Sequence, residues 1–95
     1  RKKLIYDLMN GKLDFKDNPP LECKFVEDEF SEGKVCERAY TEIMRAYQRL
    51  CQRLGMDGEE DKDIEIIINN YELITEYLCM KMFDYGALCV KKLDK

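Results

Sequence analysis

The chain has 95 residues, of which 45% are apolar and 38% charged, with a net charge of −4 and no histidine. That is the size and balance of a single helical or mixed domain, 1–95, with no room for a second core. The mildly acidic balance argues against general nucleic-acid binding, and the missing histidine removes the usual general base, proton switch and zinc partner of cysteine.

In chain order, residues 2–10 predict a short helix. Leu4, Ile5, Leu8 and Met9 recur on one face, and Asn10-Gly11 supplies a stop, because glycine takes the left-handed position without a Cβ penalty. Residues 12–33 are less regular. Pro19-Pro20 forces an extended connection and bars helix at Asn18. Leu13, Phe15, Leu21, Phe25, Val26 and Phe30 give this connection enough apolar surface to lie on a core, with room for a helical turn between Leu21 and Phe30.

Residues 34–54 predict the first long helix. Val35, Ala39, Ile43, Met44, Tyr47, Leu50, Cys51 and Leu54 share one half of its wheel, Arg38, Arg45 and Arg49 occupy the other, and Gly55 ends it. A second long helix runs from about residue 62 to about 91, roughly 45 Å at 1.5 Å per residue. Asp61 and Asp63 suit its positive N-terminal end, and Lys91 and Lys92 its negative C-terminal end. Its wheel is apolar on two sides. The larger arc includes Ile67, Tyr71, Ile74, Leu78, Met82 and Tyr85; a second patch holds Ile66, Leu73, Tyr77, Met80 and Leu88. Glu65, Asn69, Glu72 and Glu76 form a narrow wet stripe between them.

A helix apolar on two sides is buried on two sides. The predicted fold is therefore all-α: a short N-terminal helix, an extended connection, and a long antiparallel helical hairpin. Two hairpins would pair into a four-helix bundle homodimer. Residues 34–54 would cover the larger arc, leaving Ile66, Leu73, Tyr77 and Met80 for a second copy or another protein. Four such side chains supply on the order of 6–12 kcal/mol per chain before the costs of association. The N-terminal segment competes for the same patch, since Leu4, Leu8, Phe15 and Phe25 also need cover.

Few residues suggest chemistry. The acidic run Asp57, Glu59, Asp61, Asp63 follows the calcium-loop spacing, but Lys62 stands where that loop needs glycine and Ile68 where it needs a bidentate glutamate. A carboxylate di-metal site needs Glu-x-x-His, and no histidine exists. There is no phosphate-binding glycine loop, and Ser31, the only serine, has no base placed beside it. The expectation is a protein that is not an enzyme and takes no cofactor. Arg38, Arg45 and Arg49 are the strongest polar feature and raise the alternative of a nucleic-acid-associated regulator. Glu42 interrupts that stripe, and pairing with nearby acids is the simpler reading.

The five cysteines, Cys23, Cys36, Cys51, Cys79 and Cys89, are odd in number and show no C-x-x-C spacing. They predict reduced, buried thiols in a cytoplasmic protein rather than a disulfide framework. No apolar run approaches the ~18 residues that cross a bilayer. The basic start meets Asp7 too soon for a signal peptide.

Ile5-Tyr6-Asp7-Leu8-Met9-Asn10-Gly11 resembles the opening helix and stop of a group of small uncharacterised helical proteins from Firmicutes. Met82-Phe83-Asp84-Tyr85-Gly86 resembles that group's final helix. The resemblance implies the helical layout and a bacterial cytosolic origin. The group has no assigned activity, so no functional residue carries over. The function expected from the residues is a non-catalytic module for protein interaction or self-assembly.

Overall fold

The structure, a computed structural model, describes residues 1–13, 23–56 and 60–93. The Pro19-Pro20 connection, Phe15, Leu21 and residues 57–59 of the acidic run lie outside the described residues. The described residues are all-α, with three helices: α1 Lys2–Met9, α2 Val35–Arg53 and α3 Lys62–Leu93.

Each helix ends where its local chemistry dictates. Past α1, Gly11 takes φ 70°. A Cβ there would stand 2.8 Å from Asp28 Oδ2, and that carboxylate is already held by the Phe30 N–H at 2.8 Å to Oδ1. The Glu29 N–H donates to the Met9 carbonyl at 2.8 Å, which ties the segment before α2 to the end of α1. Within that segment Cys23 is buried and begins a turn, closed by the Val26 N–H on its carbonyl at 3.0 Å. Phe25 departs from expectation: it is 91% exposed, because the turn carries it outward.

Lys34 precedes α2 in an extended conformation and offers no capping side chain. Glu37, in the first turn, reaches back instead to the residue before Lys34. Its Oε1 accepts the Gly33 N–H at 3.1 Å and its Oε2 accepts the Thr41 hydroxyl at 2.8 Å. At the other end the Gly55 N–H bonds the Gln52 carbonyl and the Met56 N–H the Cys51 carbonyl, at 3.0 and 2.8 Å. This paired closure needs the left-handed residue that Gly55 provides at φ 73°. Asp61 caps α3 through its Oδ1, which accepts the Ile64 N–H at 2.9 Å. The acids at this helix start behave as the sequence implies.

The shape is elongated, 60 × 32 × 18 Å. α3 is one unbroken helix of 32 residues and forms the long axis. α1 is the helix packed most extensively against it among the described residues. The buried apolar side chains among those described are Tyr6, Cys23 and Cys51, of which Cys23 alone is fully buried. The expected cover of α3 by α2 is not what the structure displays. Tyr71, Ile74, Leu78 and Tyr85 remain exposed, and so do Val35, Tyr40, Ile43 and Leu54 on the apolar side of α2.

Candidate interaction surface

α1 lands on α3 by charge as much as by apolar contact. Lys3 Nζ lies 2.6 Å from Glu76 Oε1 and 3.2 Å from Asp7 Oδ1. Lys2 Nζ lies 3.0 and 2.9 Å from the two carboxylate oxygens of Asp84. The hydrogen bond to Glu76, then that to Asp7, holds the Lys3 ammonium above its ordinary pKa. Tyr6 sits beneath, with Lys3 and Lys12 5.4 and 5.5 Å from its ring centroid. Burial, then the nearby Glu76 charge, pushes its phenol up.

The wet stripe read from the wheel is thus partly covered. Glu76 and Glu65 are half-buried, while Asn69 and Glu72 stay exposed. At Glu76 the reason is that α1 brings Lys3 to meet the carboxylate. An open apolar groove of about 390 Å³ follows the α1–α3 seam, lined among others by Ile5, Met9, Cys79, Met80 and Phe83.

α2 meets α3 at their joint. The Tyr47 hydroxyl accepts the Asp61 N–H at 3.1 Å and donates to the Asp61 carbonyl at 3.4 Å. Partial burial raises the Tyr47 phenol, against the lowering effect of its bond from Asp61. Partial burial also raises Glu65, reinforced by a hydrogen bond with the Glu60 carboxyl. Further along, Phe30 and Tyr40 meet edge to face at 6.4 Å.

Arg38, Arg45 and Arg49 are all exposed on α2. Arg45 pairs with Glu42 at 3.4 Å, and Arg38 and Arg45 share a shallow groove with Glu37 and Glu42. A phosphate there would meet interleaved carboxylates rather than a clean positive face.

Of the four residues singled out as an interface, Ile66, Leu73 and Tyr77 are exposed and Met80 is half-buried at the groove under α1. Lys81 stands 5.6 Å over the Tyr77 ring. The larger arc, assigned by the wheel to α2, is equally bare. The lysine anchors Lys2 and Lys3 were missed because pairing across most of the chain leaves no local pattern. The cysteines divide: Cys23 and Cys51 are buried, Cys36 and Cys79 half-buried, and Cys89 exposed, all as free thiols. The expectation of uniformly buried thiols is corrected at Cys89, which lies on the uncovered side of α3.

Among the described residues no helix is long and apolar enough to cross a membrane. No family model, curated protein or solved structure matches the chain.

Proposed function

We propose that this chain is a non-catalytic helical module whose work is to hold protein surface, beginning with a second copy of itself. The observation that carries the reading is the bare side of α3. Ile66, Ile67, Tyr71, Leu73, Ile74 and Tyr77 all stand at least half exposed along one helix. Monomeric proteins rarely display so continuous an apolar face, and interfaces regularly do. In this reading α2 and α3 of each chain close into a hairpin, and two hairpins form a four-helix bundle that buries Ile66, Leu73, Tyr77 and Met80.

Sedimentation at tens of micromolar tests it. The expected mass is twice the 11.3 kDa of one chain. Changing Leu73 and Tyr77 together to glutamate lowers it to one chain, and a wild-type mass of 11.3 kDa rejects the reading. Retention on a nucleic-acid column that weakens steeply with salt would favour the Arg38, Arg45 and Arg49 alternative instead.

A further inference from the structure

We propose that two copies pair antiparallel along α3, with Leu78 on the two-fold axis. This rests on the self-association just proposed but seats it on the larger arc of α3, which α2 leaves bare, in place of Ile66, Leu73, Tyr77 and Met80.

The stripe has a mirror order. Counting outward from Leu78, apolar residues stand 4, 7 and 11 positions away on both sides: Ile74, Tyr71 and Ile67 before it, Met82, Tyr85 and Cys89 after it. At ~100° per residue all seven project within about 40° of one direction. An antiparallel two-fold through Leu78 sets Ile74 against Met82, Tyr71 against Tyr85, and Ile67 against Cys89 of the second copy. A parallel pair or an unrelated partner places no demand on such symmetry. The 4-3-4 spacing is an eleven-residue repeat, which keeps a stripe nearly straight along a helix and suits two long helices lying side by side.

The same stripe is the side that the chain's own helices leave open. Glu76, Cys79 and Phe83, which face α1, lie about 100–160° around α3 from Leu78, and Glu65 beside Tyr47 lies about 140° around on the same flank. α1 and the α2 joint therefore both sit behind the stripe. Leu78 and Met82 stand at the rim of the α1 groove, yet Leu78 is 58% and Met82 74% exposed. Ile67, Tyr71, Ile74 and Tyr85 are half exposed or more, and Cys89 is exposed.

Charge selects the direction. On the flank of the stripe itself, Asp63 near the start of α3 and Lys92 near its end project about 60° and 40° from Leu78 on the same side. Antiparallel pairing brings Asp63 beside Lys92 of the second copy at both ends and opposes the helix dipoles. Parallel pairing sets Asp63 beside Asp63 and Lys92 beside Lys92.

Thiol pairing reads the register. In an antiparallel dimer the two Cys89 residues are roughly 33 Å apart along the axis, so wild type forms no Cys89–Cys89 link. Ile67→Cys should form a disulfide with Cys89 of the second copy under a mild thiol oxidant, mapped by peptide mass. If that variant loses helicity, a mixture of Tyr71→Cys and Tyr85→Cys chains gives the same reading. A Cys89–Cys89 link in wild type, or a two-chain species without the 67–89 or 71–85 link, overturns the register. Sedimentation separates the two proposals. A single-chain wild type rejects both. A dimer that survives Leu78→Glu but not the Leu73 and Tyr77 double change keeps the self-association and rejects this stripe.

Discussion

Lys3 and Glu76, 73 positions apart in sequence, meet Nζ to Oε1 at 2.6 Å and fasten the first helix to the middle of the third. Both are partly exposed, so water and salt weaken the pair, but its geometry sets where α1 docks. Lys3→Glu is expected to loosen α1 and speed hydrogen exchange at its amides. Adding Glu76→Lys restores protection. Unchanged exchange in the single variant would show that the apolar contacts of Tyr6 and Ile5 hold α1 unaided.

Gly11 is required on two counts, its positive φ and the Asp28 carboxylate over it. Gly11→Ala should lower stability by about 1–2 kcal/mol in urea unfolding, the cost of a left-handed alanine plus displacement of the carboxylate. Gly33 is also at positive φ, but a Cβ there would meet nothing within 4 Å, so Gly33→Ala should cost only the backbone part. Equal losses at the two sites would mean that Asp28 yields freely.

Two glutamates pull stability in opposite directions with pH. The Gly33 N–H, then the Thr41 hydroxyl, holds Glu37 below its ordinary value near 4.5. Its contribution is present above that value and lost as pH falls through the lower folded value. Glu65 is held above the same ordinary value by partial burial and Glu60. Its contribution is present below that value and lost as pH rises through the higher folded value. At neutral pH Glu37→Gln should therefore lower the melting temperature and Glu65→Gln raise it, with both differences shrinking in acid. Melting curves of both variants at pH 7 and pH 3 check the signs.

Thiol labelling should resolve the cysteines in order. Cys89 reacts at once in dilute protein, Cys23 and Cys51 only on unfolding, and all five in denaturant. If the Leu78 stripe pairs, Cys89 alone slows as protein concentration rises, because it comes to face Ile67 of the second copy. A concentration-independent rate at Cys89 argues against that contact.

The helix ends were legible because they depend on neighbours in sequence. Asn10-Gly11 and Gly55 announce the left-handed residues that terminate α1 and α2, and Asp61 lies within one turn of the amide it caps. The apolar faces were legible too, since periodicity shows which residues avoid water. What covers each face was not. The wheel assigned Glu65 and Glu76 to solvent and the larger arc to α2, whereas α1 arrives over Glu76 by way of Lys3, with Lys2 on Asp84. A wheel records direction around one axis and holds no information about which distant segment comes to lie there.

With Tyr6, Cys23 and Cys51 the buried apolar side chains among those described, the described residues of a lone chain hide little apolar surface from water. Burial of roughly 1.5–3 kcal/mol per large side chain is what offsets the entropy of ordering a chain, and in the proposed pair a second copy supplies much of it. If two copies pair as proposed, folding and association share one equilibrium, and the midpoint of thermal unfolding becomes a function of dose: it climbs with protein concentration by mass action, where a self-sufficient domain would melt at one temperature however dilute.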